Sequence, residues 1–166
     1  AAVTVAKLAG VENEAIRQVL ASFGGVAHRL EYLFTDQAVM YYNDSKATDI
    51  EATQTALDSF DQPTIWLAGG LDRGDDLTRL LPNMTHVKTV VAFGETQQKV
   101  VAVAKAAGLP VQTVDDVTAA ARLAVTLAQA GDVVLLSPAA ASWDQYDNFE
   151  VRGEAFVSEL KKVLGR

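Results

Sequence analysis

The chain has 166 residues, with 49% apolar and 21% charged side chains, which is an ordinary globular composition and excludes intrinsic disorder. Fourteen basic against 21 acidic side chains give a net charge of −7, which argues against nucleic acid and anionic membrane as partners but leaves room for a small anion in a local cationic pocket. Cysteine is absent, so disulfides, Cys-zinc sites and thiol catalysis are excluded, and the short apolar runs fall far below the ~20 residues that span a bilayer.

The chain opens without Met, a basic leader or a cleavage pattern, inside a stretch that reads as a helix over 1–8. Gly10 breaks it. A second helix is predicted over 12–23, with Ile16, Val19, Leu20 and Phe23 on one face and Gly24-Gly25 as its stop. A start in mid-helix suggests a piece of a longer protein; a processed chain is the plainer alternative. Residues 30–34 and 38–42, rich in aromatic and aliphatic side chains, flank Thr35-Asp36-Gln37 and read as a β-hairpin. From Lys46 onward strands alternate with helices. The strands are predicted over 64–68, 89–93, 111–114 and 133–136. The helices are predicted over 49–60, 76–80, 95–107, 115–130 and 148–164. The strands are continuous apolar runs, which fits a mostly parallel sheet with helices on both faces. The fold class is α/β, doubly wound and Rossmann-like, preceded by the hairpin and a short helical segment.

Such sheets bind ligands at the carboxyl ends of their strands. Four segments lie there: Asn43-Asp44-Ser45-Lys46, Gly69-Gly70 with Arg73, Gly94-Glu95, and 137–149. Asp44, Ser45, Lys46 and Thr48 gather a carboxylate, hydroxyls and a cation before a helix, where an anion or nucleotide can sit. A plainer role is capping, with Thr48 as N-cap and Glu51 reaching back. Lys46 serves no cap, so it carries more of the functional signal. Gly69-Gly70 permits close backbone approach, and Arg73 offers a forked cation for a carboxylate; a tight turn with a solvated Arg is the alternative. Residues 137–149 combine small residues, hydroxyls, Trp143, Tyr146 and Phe149, more than a plain connection needs. Aromatic packing of the last helix would also explain them. His28-Arg29 sits at the junction of the N-terminal helices with the sheet region. There is no P-loop and no Gly-x-Gly-x-x-Gly, and two histidines far apart support no metal site.

Taken together, Gly25 to Glu31, Tyr42-Asn43-Asp44-Ser45-Lys46-Ala47-Thr48, Leu67-Ala68-Gly69-Gly70, and 135–149 with Arg152-Gly153 resemble the Mur ligase family. Asn-Asp-Ser-Lys-Ala-Thr with Ser-Pro-Ala-x-Ala-Ser-x-Asp is similar to the branch that adds D-glutamate. The resemblance implies three domains in the whole enzyme. Residues 25–166 would be the third, which receives the amino acid, and 1–24 the last helices of the central ATPase domain. It implies ATP and magnesium as cofactors, and D-glutamate and UDP-N-acetylmuramoyl-L-alanine as substrates. It also implies an acyl-phosphate intermediate, a cytoplasmic monomer, and closure about Gly24-Gly25. The P-loop, magnesium ligands and UDP pocket would lie outside this chain, which alone would be inactive. By the same resemblance Arg29 and Asp44 meet the nucleotide and Lys46 serves the active centre. Thr48, Arg73, Ser142 and Phe149 bind D-glutamate, with Trp143 beside them. Arg73 stands where a lysine is expected. A regulatory amino-acid- or nucleotide-binding module and a folylpolyglutamate-type domain remain as competing readings.

Overall fold

A computed structural model describes residues 2–166, so the first residue of the expected opening helix, Ala1, lies outside the described residues. Six strands form one sheet in the order β1-β2-β6-β3-β4-β5. They are β1 (Glu31–Asp36), β2 (Val39–Asn43), β3 (Thr64–Gly69), β4 (Val87–Phe93), β5 (Val111–Thr113) and β6 (Val133–Leu136). The first pair is antiparallel and every other pairing is parallel. The expected hairpin is present, but its turn is Gln37-Ala38 rather than 35–37. Both turn residues have positive φ, 45° and 63°, and a two-residue turn of that kind matches the right-handed strand twist. Thr35 and Asp36 are thereby released into the ladder, opposite Met40 and Val39.

The alternating faces of the central strands fill two apolar layers. Trp66, Ala68, Val133 and Leu135 face α3 (Ile50–Leu57), a 3-10 turn (Leu77–Asn83) and α4 (Gln97–Ala106). Ile65, Leu67, Val134 and Leu136 face α5 (Val117–Leu127) and α6 (Phe149–Leu164). Helices therefore cover both faces, as continuous apolar strands require. Asp49, Asp116 and Asn148 act as N-caps through their side chains and set the starts of α3, α5 and α6 one or two residues inside the expected ones, while α3 and α5 also stop three residues short, at Leu57 and Leu127. The expected short helix at 76–80 is a 3-10 turn that runs through Pro82.

α1 (Ala2–Leu8) and α2 (Asn13–Ser22) contain no buried residue. Val19, Leu20 and Phe23, expected on one apolar face, are each at least 60% exposed. Between the two helices lies a cleft lined only by Ala, Val, Ile and Leu.

Candidate functional site

The carboxyl ends of β2, β3 and β6 lie side by side in the sheet and release the three expected loops together. Gly69 N–H donates to Pro138 O (3.0 Å) and Leu71 N–H to Ala141 O (2.8 Å), which zips the β3 loop to the β6 loop. Gly70 has φ +152°, and a Cβ there would collide with Ala141 O and crowd Arg152, so only glycine allows this approach.

Two cavities open along this edge. One, of about 250 Å³, is lined by Arg29, Leu30, Asp44, Lys46, Ala47 and Asp49, among others. The second, also about 250 Å³, is lined by Thr48, Arg73, Ser142, Trp143, Asn148 and Phe149, among others. Lys46 and Phe149 join them, with the Lys46 ammonium 4.3 Å from the centre of the Phe149 ring. No salt bridge among the described residues engages Lys46. All eight residues singled out from the sequence therefore meet in one place, divided into a group around Asp44 and a group around Phe149.

Asp44 is 4% exposed. Its Oδ1 accepts from Leu30 N–H (3.0 Å) and its Oδ2 from Ser137 Oγ (2.9 Å). Burial pushes its carboxyl above the usual carboxylate range, against the pull of those two donors and the Arg29 charge. A raised folded-state value favours the neutral form, so the stability tied to it is present at low pH and fades as pH rises through that value. Asp44→Asn is therefore expected to melt higher than the native chain at pH 7, with the gap closing as pH falls through the carboxylate range. Thermal melts by circular dichroism across pH check this. A native chain that melts higher than the variant at pH 7 would refute it.

The capping box expected at Thr48 does not form. Asp49 is the N-cap and accepts from Ala52 N–H (2.8 Å), while Glu51 pairs outward with Arg79 (2.6 Å). An acceptor one residue later in extended conformation captures the free N–H groups first. Thr48 instead uses its carbonyl to receive Arg73 Nη2 (2.6 Å), and Arg73 also lies 3.9 Å from Asp75. Trp143 is 66% exposed at the second cavity, whereas Tyr146 packs into the apolar layer under α5 and α6. The aromatic cluster at 143–149 thus divides between packing and cavity lining. Gly94-Glu95 touches the β3 loop, where Asp72 N–H donates to the Glu95 carboxylate (3.2 Å), but it lines a different cavity, with Asp115 and Asp144.

Sequence reasoning missed Arg152 as a side chain of this region. It is fully buried, and it donates to Ser45 Oγ (3.1 Å), Ser45 O (2.9 Å), Ala140 O (3.0 Å) and Gly69 O (3.3 Å). One guanidinium thus ties all three loops. Burial lowers its pKa to about 10, so it stays cationic at neutral pH. A signal was available, because Arg152, Phe156 and Leu160 recur at helical spacing on the buried stripe of α6. His28 was noted but given no role. It has φ 62° and Leu30 φ 42°, so left-handed residues flank Arg29, at about 1 kcal/mol apiece. Among the described residues no three His, Cys, Asp or Glu side chains converge to hold a metal.

The family described as Mur ligase, glutamate ligase domain, matches residues 28–140. The chain belongs to the Mur ligase family. It is 72% identical over 165 residues to the UDP-N-acetylmuramoylalanine–D-glutamate ligase of Leuconostoc citreum strain KM20, covering 99% of this chain and 37% of that protein. In fold it is similar to the UDP-N-acetylmuramate-alanine ligase MurC of Thermotoga maritima, with a TM-score of 0.65 and 13% identity over 96% of this chain and 36% of that one. It is also similar to the MurF ligase of Thermotoga maritima in complex with ADP, with a TM-score of 0.64 and 20% identity over 98% of this chain and 36% of that one. The Mur ligase fold and the mostly parallel six-stranded sheet agree. The chain spans about 37% of the length of the curated relatives it matches. No helix among the described residues is long and apolar enough to cross a membrane.

Proposed function

We propose that this chain is the amino-acid-receiving domain of an ATP-dependent ligase that joins D-glutamate to UDP-N-acetylmuramoyl-L-alanine in the cytoplasm. The observation that carries the proposal is the pair of cavities bridged by Lys46 and Phe149, in a chain 72% identical to a ligase of that name. On this reading Arg73, Thr48 and Ser142 hold the two carboxylates of D-glutamate, and Phe149 and Trp143 pack against its carbon chain. Arg29, Asp44 and Lys46 border the nucleotide. Asp44 already accepts at both oxygens, so only its remaining lone pairs can meet ribose hydroxyls.

Bound ATP supplies a phosphoryl group that turns a poor electrophile, the substrate carboxylate, into an acyl phosphate. The D-glutamate amine then forms a C–N bond, the C–O bond to phosphate breaks, phosphate leaves with the electron pair, and the amine loses a proton. The chain's own contribution is to hold two anionic reactants together with Lys46 and Arg73. Residues 1–24 are read as the end of the preceding domain and 25–166 as the third domain, acting as a monomer. The exposed apolar side chains of α1 and α2 support that division, since such a surface is covered in a complete protein. The phosphate loop and magnesium ligands would come from the preceding domain.

The test is an NMR titration of the chain, and of the full-length protein with an ATP analogue, using D-glutamate and L-glutamate. Shifts at Thr48, Arg73, Ser142 and Phe149 with the D form alone are expected. Shifts with the L form alone would replace this reading by a folylpolyglutamate-type ligase.

A further inference from the structure

Asn43, at the end of β2, is completely buried and lies against His28, Glu31 and Ser45. Its Oδ1 accepts from Ser45 N–H (3.2 Å), and its Nδ2 donates to Glu31 Oε2 (3.1 Å). Neither contact survives if the amide turns over, because a backbone N–H needs an acceptor and a carboxylate needs a donor. The amide orientation is therefore fixed. Its second hydrogen meets His28 Nδ1 at 2.9 Å, so Nδ1 must accept and the imidazole carries its proton on Nε2.

His28 is in turn a junction. Its backbone N–H donates to Glu31 Oε2 (2.9 Å), and its carbonyl accepts from Lys46 N–H (2.9 Å). Its ring meets Phe149 edge-on, with centroids 6.0 Å apart at 78°. A Cβ on Gly153 would collide with Nδ1, so α6 leaves the ring no room to slide. Four ties thus hold a residue in the left-handed region, and the next residue is Arg29.

We propose that Asn43, supported by Glu31, is a positioning residue. It locks His28 in one tautomer and one backbone conformation, and His28 thereby sets Lys46, Phe149 and Arg29 relative to one another. The role in turnover rests on the ligase reading above; the tautomer does not. Neither Asn43 nor Glu31 needs to touch a reactant. Both sit behind the residues that do.

Two measurements test this. Only His28 and His86 contribute imidazole signals, so 15N-edited spectra of the chain and of His86→Gln identify His28 directly. The native spectrum is expected to show Nδ1 unprotonated and Nε2 protonated. Asn43→Asp replaces the donor by an acceptor and is expected to move the proton to Nδ1. In the full-length enzyme, Asn43→Asp is expected to lower kcat about tenfold or more, since small misplacement near the reacting atoms is costly, with a much smaller change in KM for ATP. Glu31→Ala, at a half-buried position that keeps the fold, is expected to lower kcat likewise, and Glu31→Gln, which keeps the acceptor, to restore it. A native His28 protonated at Nδ1 overturns the proposal. So does native kcat in Glu31→Ala, even if Asn43→Asp fails to fold. If the native full-length protein shows no D-glutamate ligation while the tautomer is as stated, the ligase reading fails, the network stands, and its claimed role in this turnover falls with the reading.

Discussion

Arg152→Met is expected to destabilise the chain by about 4 kcal/mol and to lower its melting temperature by about 12 °C. Methionine fills most of the space but donates nothing. Ser45 O, Gly69 O and Ala140 O then lose a charged donor, and Ser45 Oγ loses its tie to Arg152 while keeping its bond to Phe149 O (2.8 Å). Each orphaned buried acceptor costs about 1–3 kcal/mol, and relief from burying the guanidinium offsets part of the sum. Arg152→Lys keeps the charge but puts its donors on one atom, which cannot span acceptors on three loops. It is expected to recover less than half of the loss. Among the described residues no carboxylate lies within salt-bridge distance of the cation, and burial lowers its pKa to about 10. Because that value is depressed, the unfolded chain binds the proton more strongly between about pH 10 and the ordinary arginine range. Stability from this group therefore rises with pH in that window and is flat below it. Denaturant melts of the three proteins at pH 7 decide the matter. Equal midpoints for native and Met variant would show that the carbonyls find other donors at no cost.

The strands were legible because each is a short apolar run bounded by turn residues, and burial on both faces demands that composition. Helix ends were less legible, since an acidic or amide residue one step away can take the cap. Thr48 and Asp49 are adjacent candidates, and only backbone conformation decides between them. The eight site residues were named through the resemblance to the family; topology alone points to Asp44, Lys46, Thr48, Arg73, Ser142 and Trp143, which follow parallel strands, but not to Arg29, which precedes β1, or Phe149, which opens α6. Their division into two cavities was not legible, because it depends on how Phe149, at the start of α6, packs under Lys46, roughly a hundred positions earlier in the chain. Arg152 was hidden for the same reason. Its partners Ser45, Gly69 and Ala140 are spread over the chain, and nothing local marks a buried arginine except its place on an apolar stripe. Asn43 was visible only as part of a motif, and its hydrogen bonds emerge once β2 ends beside His28.

If the proposed function holds, Lys46→Ala, made in the full-length protein that carries this domain, is expected to lower kcat by about 10²–10³-fold, the usual cost of removing one oriented charge from a transition state. Folding is expected to survive, because the side chain is half-buried and holds no salt bridge among the described residues. The position of the ammonium explains the size of the effect. It lies over Phe149, between a cavity that holds Asp44 and Arg29 and one that holds Thr48, Arg73 and Ser142. On the proposed reading a charge there would lie close to both reactants, so negative charge developing during transfer would be met without rearrangement. Phe149→Leu separates the two parts of this argument. It removes a cation–π contact of about 0.5–2 kcal/mol but leaves the ammonium, so a smaller fall in kcat is expected. Lys46→Arg keeps charge and stacking, yet its fork is broader than an ammonium, and partial activity is expected. Steady-state kinetics with D-glutamate, ATP and UDP-N-acetylmuramoyl-L-alanine, alongside thermal melts, separates these cases. Turnover near native in Lys46→Ala with native-like melting would remove Lys46 from the proposed reacting centre and leave Arg73 as the cation proposed to hold the incoming amino acid.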